Sequence, residues 1–238
     1  MKIALIGYGK MGKAIEEIAL NKGHEIVLRI GEENKEDFTT ENIQLADVCI
    51  EFTSPHAAFD HVKKCLEAGV PVVCGSTGWL SQLEEAKQIC LQHDTAFLYA
   101  SNFSIGVNLF FKINQMVAAL MKDHPAYQIK MEEIHHTQKK DAPSGTAVTL
   151  AEDILQIQTQ LTSWVNEDTE SPQQLGIVSK RIDPAPGTHS IQYTSEIDDI
   201  TLTHTAHSRK GFASGALIAA EFLQDKKGIF SMQDVLSL

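Results

Sequence analysis

The run Ile3-Ala4-Leu5-Ile6-Gly7-Tyr8-Gly9-Lys10-Met11-Gly12, followed by apolar residues at Ile15, Ile18 and Ala19, decides how this chain folds. A short apolar strand ends at Gly7 and a helical pattern begins after Gly12, so G-x-G-x-x-G stands between a strand and a helix. In that frame each glycine has a task. Gly7 permits the tight turn, Gly9 lets backbone approach a pyrophosphate, and Gly12 lets the helix pack closely on the strand. Working outward, apolar strand runs recur at 24–30, 47–52, 70–74 and 95–100, with a helical pattern through Ala58, Val62 and Cys65 and another over 79–93. Residues 34–45 read as a polar loop. Alternating strands and helices predict a Rossmann-type, doubly wound parallel sheet of the α/β class. Ligands of such sheets lie beyond the strand C-termini, so the polar ends at 7–12, 53, 75–78 and 100–103 should face one crevice.

About twenty residues past the glycines, an acid is expected to bind the adenosine ribose. The chain reads Arg29-Ile30-Gly31-Glu32-Glu33, with glycine where the acid should stand. The two glutamates favour a free ribose, whereas Arg29 favours a 2′-phosphate. Both NADH and NADPH stay open.

After Asn102 the pattern changes. Leu109, Ile113, Met116, Val117 and Leu120 mark a long amphipathic helix. Tyr127, Ile129 and Met131 alternate with Gln128, Lys130 and Glu132 as in a strand. The polar stretch Glu133-Ile134-His135-His136-Thr137-Gln138-Lys139-Lys140-Asp141-Ala142-Pro143-Ser144-Gly145-Thr146 follows. Ala147, Leu150, Ala151, Ile154 and Ile157 then recur at helical spacing, with Ser144 or Asp141 placed to cap the start. Residues 161–175 carry no pattern and read as a mobile excursion. Strand-like runs at 176–182, 188–194 and 199–206 succeed one another without helices, which predicts an antiparallel or mixed second sheet. The tail from Phe212 returns to helix and is expected to pack on the first sheet.

The stretch from 133 to 146 is the chemically loaded part. Two histidines, two lysines and an acid crowd into seven residues ahead of a helix N-terminus, whose N–H groups can hold a carboxylate. Histidine exchanges protons near neutral pH, and lysine can donate one. The surrounding chain is acidic, with 20 basic against 31 acidic residues and a net charge of −11. That field repels nucleic acid and anionic membranes, so neither is an expected partner. No apolar run is long enough for a membrane span, and the N-terminal run ends too soon for a signal peptide, which points to the cytoplasm. Cys49, Cys65, Cys74 and Cys90 form no C-x-x-C pair and read as buried, reduced thiols.

A dinucleotide site followed by a His/Lys loop is the layout of a hydride-transfer enzyme. The segment His135-His136-x-x-Lys139-x-Asp141-Ala-Pro-Ser-Gly-Thr-Ala147 resembles the signature of the 4-hydroxy-tetrahydrodipicolinate (dihydrodipicolinate) reductase family of the diaminopimelate branch of lysine biosynthesis. Gly7–Gly12, Phe52-Thr53, Gly75-Ser76-Thr77-Gly78, Asn102-Phe103-Ser104, Ser208-Arg209 and Phe212-Ala213 fall in family order. The resemblance implies reduction of a small cyclic dicarboxylate imine with loss of its 4-hydroxyl as water. NAD(P)H would supply the hydride, and the protein would be a homotetramer built through its second-domain sheets. It assigns His135 as proton donor/acceptor and Lys139 as proton donor, His136 to substrate, and Gly145-Thr146 to a substrate carboxylate. Cofactor contacts fall on Gly7, Tyr8, Gly9, Lys10, Met11, Gly12, Gly75, Ser76, Thr77, Ala100, Ser101, Asn102 and Phe103. Residues 1–104 with 211–238 form the expected dinucleotide-binding domain, and 105–210 the domain for substrate and tetramerisation.

The glycine loop is one residue shorter than the common family form, with Lys10 in place of the usual arginine. Two other readings compete: a reductase of another imine or keto acid, and a non-catalytic dinucleotide-binding regulator. The first leaves the Asp-Ala-Pro-Ser-Gly-Thr segment unexplained, and the second has no need of His135 and Lys139. His204-x-x-His207 lacks a third ligand, and no metal is expected. His189 faces either substrate or an interface; Lys180 and Arg181 face substrate or a neighbouring subunit. Trp79 and Trp164 read as packing residues.

Overall fold

The glycine-loop segment folds as β1 (Lys2–Ile6), a turn, and α1 (Lys10–Asn21). In chain order there follow β2 (Glu25–Ile30), α2 (Thr40–Ile43), β3 (Val48–Glu51), α3 (Ala58–Glu67), β4 (Val72–Cys74), α4 (Leu83–Gln92) and β5 (Ala96–Tyr99). Next come α5 (Ile105–Met121), β6 (Gln128–His135), α6 (Gly145–Ile157), β7 (Ser163–Val165), β8 (Gln174–Arg181), β9 (Gly187–Thr194) and β10 (Asp199–Ala206). The chain closes with α7 (Lys210–Leu223), β11 (Gly228–Phe230) and α8 (Met232–Leu236). This structure, a computed structural model, describes every residue except Arg209, so that residue of the Ser208-Arg209 segment lies outside the described residues. Two compact units emerge: Met1–Ile105 with Lys210–Leu238, and Gly106–Arg209.

The first unit is a Rossmann-type parallel sheet in the order β11-β5-β4-β3-β1-β2. A sheet covered on both faces needs strands apolar on both faces, and β1 is buried from Ile3 to Ile6. The two-residue period splits that run. Ala4 and Ile6 join a core with Phe59, Val62 and Trp79, while Ile3 and Leu5 join one with Ile15, Ala216 and Leu217. The chain leaves β1 for β2 on one side and reaches β3 on the other. That switch point opens a crevice at the carboxyl ends of β1 and β3.

The second unit is a mixed sheet in the order β10-β9-β6-β8-β7. β6–β8 and β7–β8 run parallel; β6–β9 and β9–β10 run antiparallel. Its core joins Phe110 and Ala118 of α5, Leu150 and Ile154 of α6, and Ile177, Ile191 and Tyr193 of the sheet.

Several expectations need correction. The 34–45 stretch is not a bare loop, because Thr39 accepts the Asn42 N–H and caps α2. The 161–175 stretch contains β7, whose three residues are too few to show a period. Helical structure after Trp79 begins as a 3-10 turn at Leu80–Gln82 before α4. The helix expected from Leu109, Ile113, Met116, Val117 and Leu120 is present as α5, but of these residues only Val117 packs against the core, while Leu109, Ile113, Met116 and Leu120 are 41%, 45%, 58% and 71% exposed. The buried residues are Val107, Phe110, Asn114 and Ala118. Asn114 contributes through its side-chain N–H, which donates to the Leu150 carbonyl at 3.0 Å. The helix carries two apolar stripes, and periodicity cannot say which one its neighbours cover. Among the described residues, no helix is long and apolar enough to cross a membrane.

Candidate active site

Within the first unit, the glycine loop fits the reasons for which glycine was expected. Gly7 has φ +100°, and a Cβ there would stand 2.0 Å from the Phe52 carbonyl oxygen, so β1 and β3 end in backbone contact. A Cβ on Gly12 would meet the Gly7 carbonyl oxygen at 2.4 Å, whereas one on Gly9 would meet nothing within 4 Å. Backbone is thus open to a ligand at the N-terminus of α1, where Gly9 occupies the cap position. A cavity of about 470 Å³ is lined by Gly9, Lys10 and Met11, by Phe52 to Pro55, and by Gly75, Ser76 and Thr77. A second, of about 940 Å³, runs from Gly7, Tyr8 and Gly9 to Gly31, Glu32 and Asn34. Ala100, Ser101, Asn102 and Phe103 follow β5, which is parallel to β4, and so lie on the same sheet edge. The Phe103 ring is core, 5.6 Å from that of Phe52. The open loop, the helix N-terminus and the adjoining cavities fit a dinucleotide.

Two features here escaped sequence reading. Glu51 is fully buried at the end of β3. It accepts from the Thr53 N–H at 3.0 Å, the Ser76 hydroxyl at 3.0 Å and the Thr53 hydroxyl, while the Cys74 thiol donates to it at 3.0 Å. The carboxylate therefore ties the turn after β3 to the turn after β4. A lone acid ending an apolar strand was the only signal. The second feature is the ribose end. Arg29 donates through Nε and Nη2 to Glu16 of α1, and Tyr8 donates to the same carboxylate. At Gly31 the backbone N–H donates to Asn34 Oδ1 at 2.8 Å, and Asn34 Nδ2 donates to the Arg29 carbonyl at 2.7 Å. Glu32 pairs with Lys35 in solvent.

Within the second unit, β6, the loop after it and α6 bring the proton-handling candidates together. Ser144 caps α6, accepting the Ala147 N–H at 3.2 Å, a contact of about 1 kcal/mol. Asp141, the alternative cap, instead accepts from Lys139 Nζ at 2.8 Å on both oxygens. That pair holds the Asp141 carboxyl below its usual range, with a smaller effect from Arg181. Gly145 is exposed with open space around it, and His136 and Thr146 are half-buried. His135 is buried, and burial foremost lowers its pKa, with Lys139 and Arg181 adding to the effect against Glu133.

Beside His135 lies a cluster whose centre sequence reading left without a role. Glu133 is fully buried, with Oε2 3.4 Å from His135 Nδ1 and 3.7 Å from His189 Nε2. The Ser144 N–H donates to both of its oxygens at 3.1 Å, and Arg181 Nη2 donates to one at 3.2 Å. His189 therefore faces this cluster, and Arg181 is spent within its own unit. Continuing the strand alternation from Met131 would have found Glu133, since Met131, Glu133 and His135 share the buried face of β6. Among the described residues, Glu133, His135 and His189 also form the one group with three potential metal-ligand atoms within 4.8 Å of one another.

Comparison with known proteins gives the same picture along the whole chain. The family model described as dihydrodipicolinate reductase, N-terminus, matches residues 1–103, and its C-terminus counterpart matches residues 106–236. The 4-hydroxy-tetrahydrodipicolinate reductase of Christiangramia forsetii is 48% identical over 237 residues, covering 100% of this chain and 98% of that one. The enzyme of that name from Neisseria meningitidis serogroup A is 34% identical, covering 94% and 84%. The solved dipicolinate-bound dihydrodipicolinate reductase from Paenisporosarcina sp. TG-14 superposes with a TM-score of 0.80 at 25% identity, covering 98% of both chains. With both halves matched and a full-length relative at 48% identity, this chain belongs to the dihydrodipicolinate reductase family.

Proposed function

We propose that this enzyme reduces 4-hydroxy-tetrahydrodipicolinate to tetrahydrodipicolinate with NAD(P)H and loss of water, in diaminopimelate and lysine biosynthesis. The observation that carries the reading is the full-length identity with a reductase of that name, over a chain that keeps His135 and Lys139 on one strand–loop–helix. The dipicolinate bound to the Paenisporosarcina relative is itself a cyclic dicarboxylate, which supports the substrate class.

The first unit holds the nicotinamide cofactor through Gly7–Gly12, Gly75–Thr77 and Ala100–Phe103. When bound, the cofactor supplies hydride to the conjugated imine. In the second unit, Gly145 and Thr146 offer N–H groups at the positive end of α6 to one substrate carboxylate. His136 orients the ring. His135, neutral at rest because burial disfavours its charged form, exchanges a proton with the substrate. Lys139, steadied by Asp141, donates the proton that completes the reduction.

The decisive assay mixes the protein with NADH or NADPH and product freshly made by the dehydratase from pyruvate and aspartate semialdehyde, then follows nicotinamide absorbance. Oxidation of neither cofactor would sink the reading. We assign use of both cofactors, because glycine stands at the ribose position and the Arg29 charge is answered by Glu16. A Cβ at Gly31 would approach nothing closer than 3.7 Å, so Gly31→Asp is sterically allowed. It should shift competition binding toward NADH by about tenfold, worth about 1.4 kcal/mol. The assembly is a cytoplasmic homotetramer, and light scattering should return four chain masses in solution.

A further inference from the structure

A carboxylate as buried as Glu133 is tolerated only where donors surround it. Its surroundings come from four elements. The Ser144 N–H donates from the start of α6, and Arg181 Nη2 donates from β8. His135 Nδ1 lies 3.4 Å away at the end of β6, and His189 Nε2 lies 3.7 Å away on β9. The two imidazoles meet edge to face, 5.1 Å between centroids and 72° between planes, and the Ser144 hydroxyl lies 3.1 Å from His189 Nε2. The Nδ1 atoms of both histidines are buried without a hydrogen bond. On the other side of His135, a Cβ on Gly187 of β9 would stand 3.0 Å from Nε2, so glycine there makes room for the ring. The imidazole is held between a carboxylate and a bare strand.

We propose that Glu133 is a positioning residue for His135. Its carboxylate is the acceptor beside the otherwise unpartnered Nδ1, 3.4 Å away. Drawing the two into a hydrogen bond places the hydrogen on Nδ1, leaves Nε2 to exchange the proton with substrate, and stabilises the imidazolium as it forms. This rests on the assignment of His135 as proton donor/acceptor. A bound cation is the other use of two histidines and a glutamate, but the Arg181 guanidinium already answers the same carboxylate and Lys139 adds positive charge beside His135. The charged and titratable groups facing His135 are Glu133 on β6, Lys139 and Asp141 in the loop, Arg181 on β8 and His189 on β9, with His204 acting on His189 from β10.

The test compares Glu133→Gln with Glu133→Asp in the full-length enzyme. An opposite charge favours protonated imidazole, so its removal moves the limb that needs protonated His135 to lower pH by about one unit. Glu133→Gln should lower kcat by roughly 30-fold with little change in KM, and Glu133→Asp should recover part of both the rate and the limb. Wild-type kcat and an unmoved limb in folded Glu133→Gln would overturn the proposal. So would equal impairment of both variants with the wild-type profile. If neither variant folds, ¹⁵N-histidine NMR of the wild type decides, with the His135 signals assigned by loss in His135→Gln. Neutral His135 should carry its hydrogen on Nδ1, and finding it on Nε2 refutes the idea. The tautomer is read without turnover. Failure of the underlying catalytic assignment shows separately, as wild-type turnover in His135→Gln.

Discussion

His135 and Lys139 carry a direct expectation: His135→Gln and Lys139→Ala should each lower turnover by at least ~100-fold, the usual contribution of a positioned proton donor. Cofactor affinity, which depends on the first unit, should stay unchanged in both. Near-normal turnover in both variants would show that the proton roles lie elsewhere. These residues stand out as candidates in the sequence because titratable side chains ahead of a helix N-terminus form an unusual local pattern. Glu133 and Glu51 do not, for a physical reason. Each sits on a strand among apolar neighbours, and each is tolerated only through donors brought from other elements: Ser144 and Arg181 for Glu133, Ser76 and Cys74 for Glu51. Such partners are distant in sequence, so the side chain alone cannot announce its role. The same holds for Arg29, whose commitment to Glu16 appears only once α1 and β2 are packed side by side.

At the scale of elements, most strands and helices were readable from their apolar runs or their period, including the three-residue β4 and the doubly apolar β1, whereas β7, β11 and the choice of which α5 stripe is covered were not. β7 and β11 have three residues each, and their place in a sheet comes from pairing with β8 and β5. The helix α7 shows how tightly an element can be bound to the loop before the site. A Cβ on its Gly215 would lie 1.7 Å from the Phe103 carbonyl oxygen, a backbone atom that cannot turn aside. Gly215→Ala should therefore destabilise the first unit by roughly 3 kcal/mol or more. It should also weaken cofactor binding, because relief of the clash moves the turn that carries Asn102 and Phe103. An unchanged melting temperature in Gly215→Ala would contradict that packing.

For the whole molecule, acid should loosen the fold before the lowered carboxylates titrate. Burial, then the neighbouring His135, depresses the His189 pKa from 6.5 to about 4. The unfolded chain takes up that proton as pH falls through 6.5 while the native state refuses it. The contribution is thus fully present above pH 6.5 and is lost toward pH 4. Between pH 7.5 and 5 the loss amounts to about 2 kcal/mol, readable as a lower urea midpoint. His189→Asn should flatten the slope, and equal midpoints at the two pH values in the wild type would refute the assignment. The four cysteines have a further use. All are free and buried, all belong to the first unit, and burial pushes the Cys90 thiol up to about 11 and Cys74 higher still. With no reactive thiolate on the surface, alkylation can proceed only as the first unit opens, which makes these thiols a built-in clock for that unit alone. NADPH at a hundred times its Kd should slow the clock by about 100-fold, giving a measure of cofactor binding that needs neither substrate nor catalysis.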